Sequence, residues 1–125
     1  MTLIIIFVAL LSAFFVFASS IKILGWQKFI FETQLAMFIK YRLNRQVMAL
    51  VGVAELFGAI AIWFQGSWIG TLGALALLGT SVGAIGCHLI WDTWKDGVPA
   101  MVTGTLSAIV AWSGRAAGLS FLGLI

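Results

Sequence analysis

The chain is poor in charge, cysteine and histidine, and each scarcity removes a class of protein. Charged residues make up only 9% of the 125 and hydrophobic residues 62%, a balance outside the range of soluble domains. A single cysteine, Cys87, admits neither an internal disulfide nor a CxxC thiol relay, so cysteine usage does not identify the redox compartment. A single histidine, His88, has no second histidine to complete a common metal set, and no metal site is expected. Nucleophile-elbow, P-loop and HExxH patterns are all missing. No catalytic activity of its own is therefore expected, and no cofactor bound by its own residues; redox chemistry would need a borrowed cofactor or a partner.

What is present is a set of continuous apolar runs without period-two alternation, which predicts membrane-spanning helices over a barrel. The length leaves room for one domain. The expected architecture is all-α: a polytopic membrane protein forming a four-transmembrane-helix bundle, with helices over roughly 2–25, 44–64, 68–91 and 99–123. Val16-Phe17-Ala18 has the spacing of a signal cleavage site. No positive residue precedes the apolar core, however, so the first run is expected as a retained helix. Between the first two helices lies a basic connector, 26–46, with Lys28, Lys40, Arg42 and Arg45. Within it Phe31, Leu35, Phe38 and Ile39 follow the spacing of one helical face, which predicts an amphipathic helix on the membrane surface. Topology and anionic lipid account for these cations, so no nucleic-acid partner is inferred. The lone proline, Pro99, is placed to open the fourth helix.

Counting Lys and Arg in the connectors puts both termini outside and the 26–46 connector in the cytoplasm of a multi-pass cell-membrane protein, the inner membrane if the host is a bacterium. Lys22 and His88 then lie toward the inner side, Glu55 near mid-depth and Arg115 toward the outer third.

Glu55 is the residue that most needs a reason. A carboxylate at the centre of a spanning helix costs about 2.5 to 3.5 kcal/mol on insertion scales. Gly52, Gly58 and Ala59 on its face suit close helix contact, so Glu55 is expected to point into protein. Gly79 and Gly83 in the third helix, like Gly66 and Gly70 before Ala74, make further small-xxx-small steps. Lys22 reads either as an interfacial anchor whose stem snorkels or as a counter-ion inside the bundle. Arg115 shares its face with Ala108, Ala111 and Gly118 and has Trp112 within reach of cation–π contact.

The chain resembles the DoxX-like family of small four-helix membrane proteins. The likeness is carried by Ser20-Ile21-Lys22-Ile23-Leu24-Gly25, by Gly52-Val53-Ala54-Glu55-Leu56-Phe57-Gly58-Ala59-Ile60 and by Val82-Gly83-Ala84-Ile85-Gly86-Cys87-His88. These are similar to the family's K-l-g, G-x-x-E-l-x-G-a and G-A-x-x-x-H signatures. The chain departs from the family in the first connector, where many relatives carry a proline-containing turn and this one has Tyr41-Arg42-Leu43-Asn44-Arg45. The resemblance implies Lys22, Glu55 and His88 as ligand or proton sites, whereas Arg115 matches no motif and stands on its depth and small neighbours. It further implies an accessory or interaction subunit of a quinone-linked membrane oxidoreductase complex, a homo- or hetero-oligomer with other membrane subunits, with quinone as a possible ligand. Two alternatives stay open: a dimeric proton-coupled small-molecule transporter, and an assembly factor or structural subunit in which Glu55 pairs with Lys22 or Arg115.

Overall fold

A computed structural model describes residues 2–124, and it is helical throughout, with no strand among the described residues. The helices are α1 (Thr2–Leu24), α2 (Lys28–Lys40), α3 (Arg45–Ala61), α4 (Trp68–Trp91), α5 (Val98–Ser113) and α6 (Arg115–Phe121), with a 3-10 turn at Trp94–Gly97. Among the described residues α1 and α4 are each long and apolar enough to cross a membrane alone; α2 and α3 pass that test only together, bent by 114°. At 1.5 Å per residue α1 extends about 34 Å, which exceeds a hydrocarbon core of about 30 Å.

Local chemistry sets the boundaries. Asn44 opens α3, its side-chain oxygen accepting from the Val47 N–H at 2.9 Å, and Ser67 caps α4 in the same way. Pro99 stands in the first turn of α5, where its missing N–H leaves no bond unmade. Gly25, at φ +66, ends α1. The connector that departs from the family pattern ends α2 in a Schellman motif: Leu43 N–H bonds Phe38 O and Arg42 N–H bonds Ile39 O. Arg42 occupies its left-handed position at φ +63, where glycine is usual.

One expected helix is two. The run 99–123 breaks at Gly114 because its carbonyls are taken by side chains: Thr71 Oγ1 donates to Gly114 O at 2.9 Å and the Arg115 guanidinium to Trp112 O at 2.7 Å. The second helix is also shorter than expected, ending at Ala61 in a tight turn through Gly66. In α2, Phe31, Leu35 and Phe38 are half-buried as the face pattern predicts, but Ile39 is exposed.

The four long helices pack as α1 on α3, α3 on α4 and α4 on α5; α1 and α5 close the ring through a looser seam. Val8, Leu11 and Phe15 of α1 meet Ala59, Ala74, Leu77 and Val110 in the core. Large apolar residues such as Leu10, Leu50, Phe57, Leu75 and Ile109 cover the outside. A surface of this kind is suited to lipid and not to water.

Close approach depends on particular glycines. A Cβ at Gly58 would fall 2.6 Å from Leu77 Cδ2 and 2.9 Å from Gly73 O, and one at Gly52 2.9 Å from the Lys22 Cβ. Ala59 is fully buried beside them. By contrast Gly79 and Gly83 face outward, with no described atom within 4 Å of an added Cβ, so they mediate no helix contact within the described chain. The small residues of α4 that meet α3 are Gly73 and Ala74, with Gly70 against the turn at Phe64 that follows α3, one face round from the Gly79 and Gly83 step. Gly58→Ala should therefore destabilise the protein by roughly 1–3 kcal/mol through overpacking, and Gly79→Ala should not. Thermal unfolding in one detergent compares them, and equal losses would rule out this packing.

Candidate functional site

The site is built from the last turns of α1, the middle of α3 and the end of α4. Gly52 brings the Lys22 stem against α3, and Glu55, about one turn further along, then comes within reach of its ammonium. Lys22 Nζ lies 3.0 Å from Glu55 Oε1, with both side chains about nine-tenths buried. Lys22 is thus not a snorkelling anchor. Its ammonium is a counter-ion inside the bundle, and the cation beside the α1 terminus is Arg45, whose guanidinium donates to Lys22 O at 2.7 Å and Ile23 O at 2.8 Å. That fork satisfies two carbonyls a helix end leaves open and stacks on Phe31 at 4.9 Å.

At the C-terminal end of α4, His88 Nδ1 stands 2.9 Å from Asp92 Oδ2 and 3.0 Å from Tyr41 Oη. The Tyr41 hydroxyl also donates to Asp92 Oδ2, and Lys40 pairs with Asp92 Oδ1. The carboxylate thereby fastens the end of α2 to the end of α4. Hydrogen bonds from Lys40 and then Tyr41 hold the Asp92 carboxyl well below the usual range, against the opposing effect of burial. Tyr41 is pushed the other way, above the ordinary phenol range, first by burial and then by the anion beside it.

A cavity of about 600 Å³ joins the two clusters. It follows the α1–α5 seam: Phe14, Phe15, Ala18 and Lys22 form one wall, Ser81, Ala84 and His88 of α4 with Thr103 of α5 another, and Gln34 and Met37 of α2 lie across it. Lys40, Asp92 and Asp96 stand at its mouth, beside the C-terminal end of α4. Ser81 and Thr103 bond each other at 2.9 Å. One buried acceptor in the lining, Gln34 Oε1, has no hydrogen-bond donor among the described residues, and Glu55 Oε1 has the Lys22 ammonium, at 3.0 Å, as its partner.

Three of the four residues singled out in the sequence, Lys22, Glu55 and His88, thus line one cavity. Arg115 does not. It is exposed on another face, 3.9 Å from the Trp112 ring centroid. Sequence reasoning missed Tyr41, Asp92, Gln34 and the Ser81–Thr103 pair. The His88-x-x-x-Asp92 spacing, which puts both on one helix face, was the available signal for Asp92. No group of three His, Cys, Asp or Glu able to hold a metal forms among the described residues.

Fold and site together define a helical membrane protein with a charged polar cavity inside its bundle. The profile of the DoxX-like family matches residues 6–112, and the chain belongs to that family. The matched span contains Lys22, Glu55 and His88 and ends before Arg115. No curated protein and no solved structure matches the chain.

Tyr41 is the single tyrosine, so ultraviolet titration of tyrosinate reads it directly. Because its folded pKa lies above the unfolded value, the stability carried by the neutral phenol is complete below about pH 10 and is lost as pH rises through the raised value. Wild-type protein should show no ionisation step near pH ~10, and Asp92→Asn should bring the step down toward that value. A wild-type step at ~10 would exclude the network.

Proposed function

We propose that this protein is a non-catalytic accessory subunit of a membrane oxidoreductase complex and that its cavity holds the head of a quinol. The supporting observation is a buried acceptor without a donor, Gln34 Oε1, in the same lining as the buried Lys22–Glu55 pair. Leaving the Gln34 acceptor unmatched costs about 1–3 kcal/mol, so a ligand that donates a hydrogen bond to it gains about that much. A quinol offers two hydroxyl donors where the oxidised quinone has only acceptors. The cavity volume of about 600 Å³ is within the ordinary small-molecule range. Phe14, 48% exposed at its edge, leaves the seam open toward lipid, as an apolar tail requires.

In this reading Gln34 and Glu55 accept from the ligand hydroxyls, Lys22 orients the Glu55 carboxyl, and Phe15 and Met37 flank the ring. A bound quinol supplies a two-electron, two-proton couple. The chain contributes binding and orientation, and the oxidising centre belongs to another subunit. The DoxX-like family supports the oxidoreductase context, since its better-known members are associated with quinone-linked oxidation.

A second reading has one observation in its favour: Lys22 and Glu55 already neutralise each other, as a purely structural pair would. Titration of a short-chain benzoquinol and its oxidised form into the purified protein separates the two. The quinol should bind more tightly than the quinone, and Glu55→Gln should weaken it about tenfold with helix content unchanged. Equal binding of both forms, or a charge-swapped Lys22→Glu, Glu55→Lys protein that retains activity in its host membrane, would favour the structural pair. Native mass spectrometry of protein taken gently from its own membrane tests the subunit claim: a fixed-stoichiometry assembly with a cofactor-bearing chain supports it, and a lone homodimer would move the reading to transport.

A further inference from the structure

Arg115 has no part in the cavity described above, yet it stands at the end of a second one. A groove of about 600 Å³ runs between α4, α5 and α6. Leu72, Leu75 and Leu78 form one side, and small residues of α5, Ala108 and Ala111, keep it open on the other. Its lining contains no acidic residue, and Arg115 is its only charge.

We propose that this groove binds one acyl chain of an anionic phospholipid and that Arg115 holds the headgroup phosphate. Length is the first argument. On α4 the groove extends from Trp68 to Leu78, about 15 Å of helix rise, which is half of a hydrocarbon core of about 30 Å. A slot that begins at the aromatic level and stops at the midplane matches the depth of one leaflet, whereas a partner helix would need a face along the whole span. The aromatic level is marked by Trp68, stacked on Phe121 at 4.6 Å, and by the exposed Trp112.

Charge is the second argument. Arg115 forms no ion pair among the described residues, and its one intramolecular bond, to Trp112 O, uses a single nitrogen. The Trp112 ring beneath the guanidinium fixes its plane at the groove's end, and the rest of the fork stays available to phosphate oxygens. Anionic headgroups are favoured over zwitterionic ones because they carry no cation of their own to compete with Arg115.

The test is native mass spectrometry of the whole protein from mixed micelles of phosphatidylglycerol and phosphatidylcholine. Wild-type protein should retain one phosphatidylglycerol about fivefold over phosphatidylcholine. Arg115→Gln should abolish the preference while leaving retention of phosphatidylcholine unchanged, and Arg115→Lys should restore part of it. Leu75→Trp, a change on a lipid-facing side chain that fills the groove, should reduce retention of both lipids. The quinol titration should be unaltered in all three variants, which keeps this site separate from the first. Equal retention of the two lipids by wild-type protein, or an unchanged preference in Arg115→Gln, would overturn the proposal. So would a dimer that Leu75→Trp dissociates, since the groove would then belong to a second copy of the chain.

Discussion

Lys22 and Glu55 meet inside the bundle because Gly52 lets the last turn of α1 close on α3, and much of the half of the molecule that holds the cavity depends on that contact. In an apolar bundle neither charge is tolerable alone: leaving one partner of a buried pair uncompensated costs about 3–5 kcal/mol. The pair therefore fixes the register of α1 against α3. It also requires that the carbonyls ending α1 be satisfied by something other than Lys22, and Arg45 does this. One ion pair thus accounts for the position of a second cation and for the wall of a cavity.

The cavity exists because the ring of helices is not equally tight all round. Glycine and alanine draw α3 against α4, and the core residues of α1 seal the half near its N-terminus. Toward the other end of the seam the facing residues are Ala18 of α1 and Ala100 and Thr103 of α5, with Ser81 of α4 behind them, and these are too small to fill the space. Polar groups collect there, where the interior has room to hydrate or to bind. The Tyr41–Asp92–Lys40 cluster then fastens α2 across the cavity mouth.

How much of this was readable in the residues depends on range. Helix existence, the small-residue face around Glu55, the helix opening at Pro99 and the family signatures are local patterns, and they carry through to the fold. The break at Gly114 was not readable, because it arises from Thr71 donating across to another helix. Nor was the choice between Gly79 and Gly73 as packing positions: both lie in small-residue runs, and only the direction in which α4 presents them distinguishes the two. Lys22 was legible as a pair of alternatives, and the decision between them required the depth of Glu55 relative to the end of α1. Tyr41 and Asp92 lie 51 residues apart, so no local period joins them.

The pairing of Lys22 with Glu55 also bears on how the chain enters its membrane. Synthesis delivers the amino-terminal helix first, so the ammonium of α1 is committed to the bilayer before the carboxylate that neutralises it has been made. An unpaired ammonium is costly in the bilayer, so the contact that neutralises Lys22 requires α1 and α3 together. The cavity requires more of the chain still, since its walls include α4 and α5.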